Sequence, residues 1–483
     1  MKSTTAQKFA ALAAAFLVLT LPVLAQKHPR DLPKPPALSF KMPKPVTFTL
    51  GNGIRVYYLQ DTELPLVWLL GYFRGGGLYE PAEKVGLAPL TATVLRTGGT
   101  TTRPGDKINE ELEFISATVE ASGGSEYMSV TGSALKKDFA KLLEIYADLV
   151  MNPAFPQDKL DLARNQSLES MRRRWDQPMQ VGNFLFNEKL YGADTPYGRR
   201  ATPTTLKAIS REDLAAFHKR FFAPNNLMLG VAGDVPLDQV KALLNRVFKD
   251  WAKKKVDLPE PAALTERADG TIYYAYKDTP QANVFLGHLG VRRNNPDQYK
   301  LDVLNDIFGG GGFTARLMKE LRSNRGLTYG IYGGVFGGRD RGPFQVASPL
   351  KAAQLIEALG LIKEIVQDLQ TKLVSDEEIE TAKNSIINSF VFRFEQRNQI
   401  MAQAMVMKLQ GFADTYFDTY IDNIRKVTKQ DVLEVAKRYM DPAKMIILVV
   451  GDEKKFEKPL SSIGNVKPID LKALMEAERG PQK

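Results

Sequence analysis

The sequence predicts an α+β protein built from two tandem copies of one α/β sandwich, and two observations carry that prediction. First, the chain repeats itself at both ends of each half. GNGIRVYYLQDTELPLVWLLGYFR from Gly51 lies on ADGTIYYAYKDTPQANVFLGHLGVR from Ala268, where Gly53, Asp61 and Thr62 match Gly270, Asp278 and Thr279 at an offset of 217. FHKRFFAPNNLMLGVAGDV from Phe217 lies on VAKRYMDPAKMIILVVGDE from Val435, pairing Arg220, Pro224, Gly233 and Asp234 with Arg438, Pro442, Gly451 and Asp452 at an offset of 218. Two separate stretches at nearly equal offsets mark a tandem duplication. Second, each half alternates strand and helix patterns, which packs helices against one sheet face.

Taken in order, the chain opens with a basic start (Lys2, Lys8), an apolar run FAALAAAFLVLTLPVLA and a small residue, Ala25, before Gln26. That is the layout of a secretory signal peptide, residues 1–25. It implies a periplasmic or secreted protein; read instead as a retained anchor, it still exports the body. Residues 26–45, rich in proline, form an extended arm. The first sandwich is placed at 46–252. IRVYYLQ and LVWLLGYF read as strands after a Gly-Asn-Gly turn, and ALKKDFAKLLEIYADLVMNP has helical spacing with an Asn-Pro stop. NLMLGVAGDV, and KMIILVVGDE in the second copy, are near-continuous apolar runs of the kind found in buried strands. A charged, proline-bearing linker is expected at 253–267, the second sandwich at 268–475 and a tail at 476–483.

Composition narrows the chemistry. There is no cysteine, so an exported chain depends on its cores rather than on disulfides. The three histidines, His28, His218 and His288, show no metal-ligand spacing. Net charge is +10, partly from KKK at 253–255, RRR at 172–174 and RDR at 339–341; without a nucleic-acid motif this reads as a solvated basic face. Ser133 and Lys136 match Ser-x-x-Lys by coincidence, since no Lys-Thr-Gly element accompanies them, and there is no Gly-x-Ser-x-Gly elbow.

The segment VGLAPLTATVLRTGGT, Val85 to Thr100, resembles the zinc-binding helix of the insulinase/pitrilysin (inverzincin) metallopeptidases, whose signature is His-x-x-Glu-His. The resemblance extends over essentially all of the chain after the signal. Pro89 stands at the first His, Ala92 at the Glu and Thr93 at the second His. The third ligand position falls on Ser170, or on Glu169 if the register moves by one. A zinc site needs about three convergent N, O or S ligands. The resemblance therefore implies a zinc-less chain of the type seen in the non-catalytic subunit of mitochondrial-processing-peptidase-like bacterial heterodimers, with no metal of its own and zinc expected in a partner.

FGGGGFTARLMKELRSNRGLTYGIYGG from Phe308 resembles the family's Arg-Gly-Leu-x-Tyr segment. By resemblance Arg325 and Tyr329 support substrate and transition state, and a cation and a phenol both donate hydrogen bonds to a carbonyl. They stand four apart, on one side if the segment is helical, although Gly326 suggests a helix end. The glycine run Gly309, Gly310, Gly311 and Gly312 lacks the Gly-Lys-Ser/Thr of a phosphate loop, so it reads as a turn with a mobile backbone that the resemblance makes a candidate for gripping substrate. ATVEASGGSEYMSVTGSA occupies the place where family members bind peptide along an edge strand.

The expected function is a non-catalytic subunit that lends Arg325, Tyr329 and a chamber wall to a His-x-x-Glu-His partner cleaving short or unfolded polypeptides. The alternative is a peptide-binding or structural scaffold of the same fold.

Overall fold

The computed structural model describes residues 42–479, all within one unit of the chain. The expected signal segment with Ala25, His28, the arm up to residue 41 and residues 480–483 lie outside the described residues.

The first half contributes strands β1 (Val46–Thr49), β2 (Arg55–Gln60) and β3 (Leu66–Arg74), then helices α1 (Leu87–Thr97) and α2 (Gly105–Phe114). The hairpin β4 (Thr118–Gly123) and β5 (Tyr127–Leu135) follows. Next come α3 (Phe139–Met151), α4 (Gln157–Arg174), α5 (Pro178–Tyr191), α6 (Pro203–Ala208), α7 (Arg211–Phe221), β6 (Leu227–Gly233) and α8 (Leu237–Phe248). The second half runs β7 (Ile272–Tyr276), β8 (Gln281–Leu289), β9 (Val291–Arg292), α9 (Gln298–Asn305), β10 (Tyr332–Val335), β11 (Gly337–Gly338) and β12 (Pro343–Lys351). It ends with α10 (Leu355–Thr371), α11 (Asp376–Phe390), α12 (Arg397–Leu409), α13 (Tyr416–Lys426), α14 (Lys429–Tyr439), β13 (Ile446–Gly451), β14 (Val466–Ile469) and α15 (Leu471–Arg479).

The two halves repeat one topology. Their six-stranded sheets are ordered β1-β2-β6-β3-β5-β4 and β14-β7-β13-β8-β12-β10, with β2–β6 and β7–β13 parallel. The repeat reaches the helix caps. Ser210 and Asp213 form a reciprocal capping box at the start of α7, and Thr428 and Asp431 do the same for α14. One edge differs: β1, ahead of the repeat, lies antiparallel on β2, whereas β14, from the chain's end, lies parallel on β7.

Each sheet is covered on its second face by a helix of the other half. β6 and β13 bury nearly every residue, so neither face tolerates water. α5 packs on β8 and β13, putting Val181, Leu185, Phe186 and Leu190 in one core with Phe285, Ile446, Leu448 and Val450. Reciprocally α12 crosses β2 and β6, seating Met401 and Met405 against Tyr57, Tyr72 and Ala232. A small residue makes each approach possible. On α5, a Cβ at Gly182 would come within 2.2 Å of Phe285 Cε2; under α12, a Cβ at Gly230 would come within 2.7 Å of Met405 Sδ.

The chain's end is also tied to the first half. The buried carboxylate of Glu478 accepts from Arg174, Arg200 and Trp175 Nε1, the last at 2.8 Å. α15 runs through the 475/476 boundary expected from sequence. The basic strings are put to use as well. Arg339 pairs with Glu260, Asp340 Oδ2 accepts from Leu264 N, and Arg341 donates to Leu264 O, so RDR 339–341 fastens the connection between the halves.

Candidate functional site

α1 is built from the turn before it. The buried Glu80 carboxylate accepts from Gly86 N at 3.0 Å and Ala88 N at 2.6 Å, capturing donors that a helix start leaves open. Burial pushes its carboxyl above the usual range, while the two backbone donors and Arg199 favour the charged form. Arg199 also donates to the Gly77 and Glu80 carbonyls, which fixes the turn. On its other side α1 rests on edge strand β4. A Cβ at Gly123 would lie 2.5 Å from the Ala88 carbonyl carbon and 2.6 Å from Pro89 N, so only glycine lets strand and helix touch here.

Pro89 and Thr93 share the exposed face of α1, and Ala92 is buried in the first-half core. Pro89 is the third residue of the helix, where a missing N–H costs nothing. The Thr93 hydroxyl donates to Pro89 O at 3.0 Å. α4, which packs on α1, carries Glu169 and Ser170, both exposed, with Glu169 ion-paired to Arg172 of its own helix. These groups do not fit zinc, since they offer neither an imidazole nor a free convergent carboxylate. Among the described residues no group of three or more His, Cys, Asp or Glu side chains is placed to hold a metal ion. The described histidines are committed elsewhere, His218 to Val150 O and His288 to Asp441 N and Leu289 O.

In the second half, α9 and the π-helical turn Asp306–Gly310 take the corresponding place, packed on edge strand β10. The glycine run is a helix-to-helix turn. Gly309 is buried, and a Cβ there would lie 2.6 Å from Gly333 N, whereas Gly310 and Gly312 are exposed. Phe313, 63% exposed, follows it. Arg322 lies over the rings of both Phe313 and Tyr329, at 4.6 and 5.8 Å from their centroids. The glycine turn and the Arg/Tyr segment are thus one surface.

Arg325 closes the π-helical segment Met318–Asn324, and Gly326 at φ +61 turns the chain out of it. Tyr329 therefore stands in the non-helical stretch before β10, and the side-by-side helical placement of the pair does not occur. Tyr329 is 83% exposed. Arg325 pairs with Glu357 at 2.7 Å and with Glu320 at 3.6 Å near the surface, where ion pairs hold weakly. The motifs gave no sign of Arg322 as the link between loop and tyrosine, or of Glu80 as the cap of α1. The sequence signal for Glu80 was an acid just ahead of a helix start.

Two similar sandwiches in one chain, each with a helix laid on its edge strand, define a duplicated α/β-sandwich protein whose first such helix carries no His, Cys, Asp or Glu. The family model described as Insulinase (Peptidase family M16) matches residues 61–195, and the one described as Peptidase M16 inactive domain matches 208–386. The chain belongs to the insulinase family, peptidase family M16. It is similar to an "uncharacterized zinc protease" of Streptomyces coelicolor, 25% identical over 70% of this chain and 75% of that one. It is also similar to the "non-peptidase homolog YmxG" of Helicobacter pylori, 23% identical over 83% of this chain and 93% of the relative. Among solved structures, the peptidase M16 inactive domain from Pseudomonas fluorescens superposes with a TM-score of 0.77 at 24% identity, covering 84% of this chain and 98% of that one. The periplasmic protease PqqL of Escherichia coli gives 0.72 at 16% identity, covering 93% of this chain and 51% of that one.

Proposed function

We propose that this chain is the zinc-less subunit of an exported insulinase-type peptidase. A partner with His-x-x-Glu-His supplies zinc and base, and this chain supplies Arg325, Tyr329 and part of the chamber wall. One observation supports the reading: the exposed face of α1 carries Pro89 and Thr93, the positions the resemblance gives to ligands, while Tyr329 and Arg325 are exposed in the second half. Their donors suit a peptide carbonyl and its developing oxyanion. The glycine turn, coupled to Tyr329 through Arg322, grips the polypeptide. The name of the Helicobacter relative supports a chain that does not hydrolyse peptides alone. PqqL supports a periplasmic setting, and no helix among the described residues is long and apolar enough to cross a membrane. The test is elemental analysis of chelator-free protein together with a peptide-cleavage assay on the lone chain. Substoichiometric zinc and no turnover are expected; one zinc per chain with turnover overturns the reading.

A further inference from the structure

Between the halves lie two adjoining cavities of about 240 and 420 Å³ that share Glu126, Arg293, Arg339 and Gln410. The first is lined by Arg74, Arg292, Arg293 and Arg339 against only Glu126 and Glu260, with Asp340 paired to Arg292 at 2.9 Å. Two of these arginines are built in. Arg293 is 13% exposed and paired to Glu126, and Arg339 is 17% exposed and donates to Tyr79 Oη at 2.9 Å. The Arg74 guanidinium, at the exposed end of β3, makes no hydrogen bond or ion pair among the described residues. Arg339 has a second partner of a different kind. Glu260 Oε2 accepts from it at 3.0 Å, yet Glu260 is 79% exposed and belongs to the stretch 251–268, which has neither helix nor strand.

We propose that this cleft is a carboxylate-binding subsite for acidic peptides, and that Glu260 is its internal occupant until such a peptide replaces it. The structure itself sets carboxylates on these guanidinium groups, whose paired donors suit that planar acceptor. An exposed ion pair holds weakly, so exchange of Glu260 for a peptide carboxylate costs little, and Arg74 adds an unspent cation. The inference rests on the chain binding peptide, as in the proposed function, and gives that peptide a chemical class. The carboxylate comes from acidic side chains or from a C-terminus.

The experiment uses the full chain without partner and fluorescein-labelled decapeptides, measured by anisotropy. One peptide is acidic with a free C-terminus, a second carries Asn and Gln for Asp and Glu and an amidated end, and a third is acidic with an amidated end. The acidic peptide should bind about ten-fold more tightly than the neutral one, and the third peptide assigns the source. Glu260→Gln should tighten acidic-peptide binding by about three-fold, because an internal competitor is gone, and Arg74→Gln should weaken it by about five-fold. Neither change should move the thermal midpoint. Equal affinity for acidic and neutral peptides, or no tightening by Glu260→Gln, overturns the proposal. Displacement by a single-stranded oligonucleotide of equal charge as effective as by acidic peptide also overturns it. Arg325→Ala separates the two readings. If it abolishes the acidic preference while Arg74→Gln does not, the carboxylate belongs at Arg325 and the cleft assignment falls. If partner-dependent cleavage ignores Arg325→Ala but Glu260→Gln still tightens binding, the cleft stands and the divided-site reading falls.

Discussion

Gly182→Ala tests the helix exchange that joins the halves. In an ordinary exposed helix this substitution stabilises by about 1 kcal/mol, since alanine restricts the unfolded chain and favours the helix. Here the new Cβ would lie 2.2 Å from Phe285 Cε2 and 2.8 Å from Cδ2, well inside contact distance. Phe285 is 2% exposed and its ring packs 5.9 Å from that of Phe186, so it has nowhere to retreat. Overpacking of this kind costs about 1–3 kcal/mol, toward the upper end where the neighbour is a caged ring. The net expectation is a loss of about 1–2 kcal/mol, the reverse of the propensity effect. Urea unfolding of the full chain measures it, with Phe285→Leu as the second arm of a double-mutant cycle. Phe285→Leu alone opens a cavity, and the pair should cost about 1–2 kcal/mol less than the sum of the singles. A stabilised Gly182→Ala with no coupling to Phe285 would refute the seating of α5 on the second sheet.

Other outcomes follow from buried charges. His218 donates to Val150 O between the rings of Phe155 and Phe222, and burial lowers its pKa to about 4 from 6.5. The unfolded chain takes up that proton first, so stability should fall by up to about 3 kcal/mol as pH drops from 6.5 toward 4. His218→Gln, which keeps the donor, should flatten this slope in urea titrations at stepped pH; an unchanged slope rules His218 out as its source. Asp306, at the head of the glycine turn, is pushed by burial up to about 6, so its effect has the opposite sign. It favours folding below its unfolded value of 3.8 and loses that contribution as pH rises through about 6. Asp306→Asn should stabilise at pH 7 by about 1 kcal/mol after solvent screening, and a loss instead would show that the Ser385 bond to the charged form dominates. Glu478→Gln leaves Arg174 without a counter-charge and Arg200 with Glu188 alone, and should cost about 3 kcal/mol by thermal or urea unfolding. A cost below about 0.5 kcal/mol would make α15 a loosely held end.

The duplication was legible because matching turns and strand ends recur: Gly53 with Gly270 at one end, Gly233-Asp234 with Gly451-Asp452 at the other. Pro89, Ala92 and Thr93 were singled out by resemblance, and folding puts the first and third on the exposed face of α1 with Ala92 in the core. The exchange of α5 and α12 was not, because amphipathic spacing shows that a helix has an apolar face but not which sheet receives it. Gly182 and Gly230 carry the only local trace, and a helical or strand glycine reads as a mere weakness until its neighbour is known. The roles of RDR 339–341 were hidden for a similar reason: a charge run shows sign, while its partners Glu260 and Leu264 come from elsewhere in the chain. Arg325 and Tyr329 were singled out by resemblance, but Gly326 breaks the helix between them and Arg322 joins Tyr329 to Phe313, a relation that only folding creates.

The proposed divided site takes Arg325 and Tyr329 from this chain and its metal from another. Its most direct measurement is peptide cleavage by the reconstituted pair of this chain and a His-x-x-Glu-His partner, comparing wild type with Arg325→Ala and Tyr329→Phe while partner zinc content is monitored. Loss of a donor to the developing oxyanion predicts a fall in kcat of about 100-fold, with assembly and zinc unchanged. Cleavage at the wild-type rate by both variants would show that neither side chain belongs to the site.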